Sequence, residues 1–179
     1  SMYSSYYDRE FIIVDRLSYW IWNPDRWDVI VFRPYVDDSK EYFLKRIIAL
    51  PGDTIKIEDW KVFLKQSWED EFIELDEPYL SESNNGYTYV WSSKSEYEFR
   101  LWEWDYFVMW DNRNHSTDSR TCFGNCNKVT NFIKKDSMVW KVLIDFGYFN
   151  FKTFSFIHPE LWIDTTPKFF DSTSTYDYE

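Results

Sequence analysis

The chain is written as a succession of short runs of β-branched and aromatic residues, and no window holds a helical period long enough to place a helix. The runs fall at 11–14, 28–32, 42–50, 54–57, 62–65, 87–91, 97–102 and 106–109, with later ones at 137–145 and 148–157. Runs of this length and composition read as strands. Turn signals stand between them: Asn23-Pro24-Asp25, Pro51-Gly52-Asp53, Asn84-Asn85-Gly86 and the polar stretch 112–119. The expected class is therefore mainly β, in antiparallel sheets, with little helix. No internal repeat and no linker divides the chain, and its Ser-, Thr-, Asp- and Tyr-rich end is expected to fray.

Composition narrows the function classes. A length of 179 residues suits one domain, or one domain with an appendage. Twenty basic against 31 acidic side chains give a net charge of −11, which disfavours nucleic acid as a partner. A hydrophobic fraction of 44% excludes global disorder. No run of 18 or more apolar residues exists and no charged-then-apolar leader opens the chain, so as written it reads as soluble. It opens at Ser1-Met2 and is expected to begin inside a longer product. Cys122 and Cys126 are too few for a disulfide framework or a four-thiolate zinc site; a local bridge and two free thiols both stay open. No metal and no cofactor is expected.

One imbalance needs an explanation. The chain holds 16 Phe, 14 Tyr and 11 Trp, but only 4 Gly. Average usage of about 7% would give roughly a dozen glycines.

Two segments carry chemistry. The first, Tyr42 through Asp53, is a strand with Lys45 in its middle and a sharp Pro51-Gly52-Asp53 turn at its end. Buried among apolar neighbours, Lys45 would have a lowered pKa and could accept a proton near neutral pH; alternating outward, it would be an ordinary surface lysine. The second is the loop from Trp110 to Arg120, which gathers acid, base, hydroxyl and amide groups at the end of a strand.

These segments, in this order, resemble the bacterial type I signal peptidases, membrane-anchored serine proteases with a Ser/Lys dyad. Ser1-Met2-Tyr3-Ser4-Ser5-Tyr6 resembles the nucleophile box Ser-Met-x-Pro-Thr-Leu, with Pro, Thr and Leu replaced. Residues 26–32 are similar to the Arg-Gly-Asp-hydrophobic box, 45–53 to the lysine box, and 110–120 to Gly-Asp-Asn-Arg-Asp-Asn-Ser-x-Asp-Ser-Arg. The resemblance covers residues 1–144 and implies a catalytic domain over 1–145, followed by a C-terminal β extension and tail over 146–179. It implies Ser1 as nucleophile and Lys45 as general base. Ser116 would aim the lysine amine, and Asp118 and Arg120 would pair to hold the loop against the lysine strand. Arg46, Asp111 and Arg113 belong to the same supporting motifs. Met2, Tyr6, Phe43 and Leu44 would lie beside the substrate's small side chains. A neutral lysine needs no histidine partner, and His115 and His158 have no triad spacing.

The implied reaction is peptide-bond hydrolysis through an acyl-enzyme. Its partners would be secretory preproteins with small residues at the first and third positions before the cut, laid along a sheet edge. The resemblance also implies a membrane anchor before Ser1 and a site on the outer face of the cytoplasmic membrane. An oxyanion donor expected just upstream is missing from these residues, and a terminal Ser1 would offer an amine instead of an amide. The chain as written is thus expected to be much less active than a longer parent.

Trp27 and Trp110 replace glycines of the aligned motifs, and Trp20, Trp60, Trp104 and Trp140 stand where relatives tend to carry glycine. An indole is a poor occupant of positions that need positive φ or lack of bulk. The expectation is a gene whose UGA codons are read as glycine by its bacterium, against the alternative of real tryptophans in a divergent enzyme. Three other functional readings stay open: a self-cleaving repressor-type Ser/Lys peptidase, a catalytically inactive relative, and an aromatic-rich β module that binds carbohydrate by ring stacking.

Overall fold

The computed structural model describes residues 11–15, 23–34, 42–90, 96–114, 117–127, 129–146, 148–150, 152, 154–157 and 168–169. Among them the strands are β1 (Ile12–Asp15), β2 (Val29–Phe32), β3 (Phe43–Ala49), β4 (Thr54–Glu58), β5 (Lys61–Lys65), β6 (Ile73–Glu74), β7 (Glu96–Arg100), β8 (Asp105–Met109), β9 (Ile133–Lys134), β10 (Met138–Asp145), β11 (Tyr148–Asn150), β12 (Ser155–Ile157) and β13 (Lys168–Phe169). Helix is confined to 3₁₀ turns at Ser119–Gly124 and Lys135–Ser137. Every strand pair is antiparallel. The expected mainly β class is what forms.

The larger sheet runs β1-β10-β2-β3-β8-β9, with β13 also pairing β10; a second sheet runs β6-β5-β4-β7. Both faces of the central strands are covered, which is why β2 reads as an unbroken apolar run and why Lys45 and Arg46 of β3 are buried with their apolar neighbours. On β2, Ile30 and Phe32 join one core cluster with Ile47, Val108 and Phe123, while Val29 and Val31 face Val142. The period of two sends alternate residues to opposite faces. A further cluster fills the space between the sheets, where Ile55, Ile57, Val62 and Leu64 of the β4–β5 hairpin meet Ile48, Ala49, Phe107 and Met109. Burying a side chain of this size contributes about 1.5–3 kcal/mol, so the β3–β8 pair is anchored from two sides.

Two strand expectations are corrected. Residues 87–90 form no strand. There the Thr88 N–H donates to the Trp60 carbonyl at 2.7 Å and the Thr88 hydroxyl accepts from Arg113, so the backbone serves a hairpin turn and the side chain a buried cation instead of a ladder. Residues 148–157 fold back as the β11–β12 hairpin, with Phe154 at φ 54° and its ring edge-on to Phe149 at 5.8 Å. Sequence patterning overlooked β6, β9 and β13, each two residues long and containing a charged residue. Cys122 and Cys126 are bridged, with Cα atoms 4.9 Å apart.

Candidate active site

Lys45 sits in the middle of β3, opposite Ile30 of β2, on the strand face it shares with Phe43 and Ile47. That placement leaves its side chain 0% exposed. The amine lies 3.4 Å from the centroid of the Trp110 ring and 4.8 Å from that of Phe43, and it has no hydrogen-bond partner among the described residues. Burial holds the amine well below the ordinary lysine range; the nearby Asp118 charge opposes the shift and Arg120 adds to it.

The loop beyond β8 is fastened by three buried ion pairs. Arg46, next to Lys45, reaches across to Asp111 with two parallel bonds, Nε to Oδ1 at 3.0 Å and Nη2 to Oδ2 at 2.8 Å, and also donates to the Trp27 carbonyl. This bidentate fork ties the loop directly to the lysine strand. Arg120 makes the second fork, to Asp118, at 2.9 and 2.7 Å. Its remaining donors hold the Tyr89 and Arg113 carbonyls. Burial alone would raise the Asp118 carboxyl, but the Arg120 guanidinium and the N–H groups of Arg120 and Trp110 outweigh it and keep it below the usual carboxylate value. Asp118 also caps the 3₁₀ turn, with Thr121 returning the bond. Arg113 pairs with Glu77 and donates to Thr88 and to the Tyr79 hydroxyl. Burial and the Glu77 charge together push the Tyr79 phenol well above its ordinary range.

The turn after β3 is locked the same way. Arg26 pairs with Asp53 at 2.9 Å and donates to the Ile48 carbonyl, while Asp28 pairs with Lys141 of β10 at 2.7 Å.

Lys45, Arg46, Asp111, Asp118 and Arg120 are thus gathered around one loop–strand junction, with Phe43 and Leu44 on the same strand and Arg113 on the loop between Asp111 and Asp118, its side chain turned to Glu77. Ser1, Met2, Tyr6, Ser116 and Trp20 lie outside the described residues. Glu77 and Tyr79 were missed from sequence: they meet Arg113 from 36 and 34 residues away, and no local pattern announces that pairing. Trp110 did leave a signal, as an indole in front of Asp111.

A family model described as signal peptidase, peptidase S26, matches residues 1–144. The chain belongs to the signal peptidase family. It is 33% identical to signal peptidase I U of Bacillus subtilis over 129 residues, which are 69% of this chain and 63% of that protein. It is 34% identical to signal peptidase I of Rickettsia conorii over 143 residues, covering 65% of this chain and 52% of that one. The chain therefore spans less than two thirds of the length of these relatives. A crystal structure of a signal peptidase I from Enterococcus faecalis is 25% identical and superposes with a TM-score of 0.47, covering 68% of this chain and 97% of that chain.

Proposed function

We propose that this member of the signal peptidase family is the catalytic part of an endopeptidase that removes signal peptides from secreted preproteins, with Ser1 as nucleophile and Lys45 as general base. The observation that carries the reading is the Lys45 amine: fully buried, unpartnered among the described residues, and with a pKa held by that burial well below the ordinary lysine value. An amine whose neutral form is favoured by burial can act as a proton acceptor, and a serine hydroxyl is a weak nucleophile without one.

In the proposed reaction the Ser1 oxygen bonds to the scissile carbonyl carbon as its proton passes to the Lys45 amine. The resulting ammonium returns that proton to the leaving nitrogen, and the acyl-enzyme remains. Lys45 then takes a proton from water as the water oxygen bonds to the acyl carbon, and returns that proton to the Ser1 oxygen as the ester bond breaks. Ser116 aims the amine, and the Asp111, Arg113, Asp118 and Arg120 network keeps the loop in register with β3. Met2, Tyr6, Phe43 and Leu44 flank the small residues at the first and third positions of an extended preprotein segment. The domain is residues 1–145, with 146–179 as an extension, held at the outer face of the cytoplasmic membrane by a preceding anchor. Among the described residues no helix is long and apolar enough to cross a membrane.

The test is cleavage of a leader peptide with an Ala-x-Ala site. Lys45→Met and Lys45→Arg should each lower kcat/KM by about 10²–10⁴-fold, and an acylating β-lactam-type inhibitor should label the chain at Ser1 and lose that label in Ser1→Ala. Undiminished cleavage by Lys45→Met, or labelling that survives Ser1→Ala, overturns the dyad.

A further inference from the structure

Three four-residue turns in this chain are built alike. In Leu50-Pro51-Gly52-Asp53 the Asp53 N–H donates to the Leu50 carbonyl at 3.1 Å, and the Asp53 carboxylate accepts from the Leu50 N–H at 2.8 Å. Asp25-Arg26-Trp27-Asp28 closes the same way, with Asp28 N–H to Asp25 carbonyl at 3.3 Å and Asp25 N–H to Asp28 carboxylate at 3.1 Å. Trp102-Glu103-Trp104-Asp105 repeats both bonds at 3.1 Å. The third position of each turn has positive φ: 89° at Gly52, 73° at Trp27 and 75° at Trp104. Two tryptophans therefore occupy a slot that the chain itself fills once with glycine, the residue this backbone favours.

A fourth position makes the same point by different geometry. The β4–β5 hairpin pairs Glu58 with Lys61, leaving the two-residue loop Asp59-Trp60 with φ of 46° and 69°. Two positive φ values define the hairpin turn that prefers Asn-Gly or Asp-Gly. Burial offsets little of the strain at Trp60, 52% exposed, and Trp104, 68% exposed, whereas Trp27 packs against Tyr79 at 5.6 Å and the neighbouring core. Trp68 and Trp102 have ordinary backbone and need no such explanation.

Trp110 is anomalous through its bulk. Its ring lies on the Lys45 amine, and its own indole N–H is buried with no partner among the described residues. An aromatic N–H that is buried normally finds an acceptor. We propose that positions 27, 60, 104 and 110 are glycine in the protein made by its source, encoded by UGA read as glycine, and that the bare backbone at 110 is what leaves the Lys45 amine open to a hydroxyl. The last part rests on the dyad reading; the first three positions do not. Trp20 lies outside the described residues, and at Trp140 nothing beyond a neighbouring register shift with β2 singles out the site.

Peptide sequencing by mass spectrometry of the protein from its source is the first test. Glycine at 27, 60, 104 and 110, with tryptophan kept at 68 and 102, is expected; tryptophan at any of the four overturns the assignment. The second test uses the chain as written. The Trp60→Gly and Trp104→Gly replacements should each raise the unfolding midpoint by about 2–4 °C, with a smaller rise from Trp27→Gly, which also gives up packing on Tyr79, and no rise from either exposed site contradicts the turn argument. In that triple background Trp110→Gly should speed acetylation of Lys45 by a small anhydride roughly tenfold, as the covering ring is removed. Unchanged acetylation overturns the part concerning position 110. Faster acetylation without leader-peptide cleavage leaves this inference standing and removes the dyad instead.

Discussion

At the scale of single residues, the burial of Lys45 makes stability depend on pH in a defined direction. Its folded pKa lies well below its unfolded value of 10.5, so between the two only the unfolded chain holds the proton. The contribution is fully present above the unfolded value and is lost as pH falls toward the folded one. Denaturant unfolding from pH 7 to pH 10 should therefore show stability rising with pH, and Lys45→Met should remove that rise. Equal slopes in the two proteins would contradict a buried neutral amine. Asp118 acts at the acid end with the same sign: its carboxyl is lowered by Arg120, so its contribution is present above the unfolded carboxylate value of 3.8 and disappears as pH drops through the lower folded one. Asp118→Ala leaves the Arg120 guanidinium, 2% exposed, without its carboxylate, which typically costs about 3–5 kcal/mol. A loss under about 1 kcal/mol in urea unfolding would show that the Tyr89 and Arg113 carbonyls suffice to hold it.

At the scale of elements, the site is a junction between β3 and the loop that leaves β8. Neighbouring residues on β3 divide the work: Lys45 supplies the buried amine, and Arg46 grips Asp111 on the loop. Arg46→Ala should loosen that junction, with faster amide exchange at residues 110–114 and less change in the β4–β5 hairpin, because the Arg46 guanidinium bonds to Asp111 and to the Trp27 carbonyl. Uniform acceleration through both sheets would mean that the pair supports the whole fold. This division also explains what the sequence disclosed. The lysine strand, the Pro51-Gly52-Asp53 turn and the Asp111–Arg120 loop were legible because each is a contiguous signal whose meaning lies in its own neighbours. The Glu77–Tyr79–Arg113 cluster was not, because its members come together only when the segment after β6 packs under the loop. Residues 87–90 misled for the opposite reason: Tyr87, Tyr89 and Val90 have strand propensity, but tertiary bonds to Trp60 and Arg113 claim Thr88 first.

At the scale of the whole molecule, the strands that carry Lys45 are also the strands that hold both sheets together. Ile47, Ile48 and Ala49 reach two different core clusters within three residues, helped by the register shift between Ile47 and Ala49. A lysine placed at such a crossing is desolvated by the rings and strands packed around it, the Trp110 and Phe43 rings among them, and burial then lowers its pKa. The unbroken apolar reading of β2 and the lowered pKa of the lysine on β3 have one physical origin, burial on both faces. The family match over residues 1–144 covers this crossing entirely. The account comes down to the protonation state of one amine, and an NMR titration of the chain labelled with carbon-13 at lysine Cε reads it directly, with Lys45→Arg identifying the signal. The Lys45 resonance should shift with a midpoint well below 10.5, apart from the other lysines; a midpoint in their ordinary range would contradict the account.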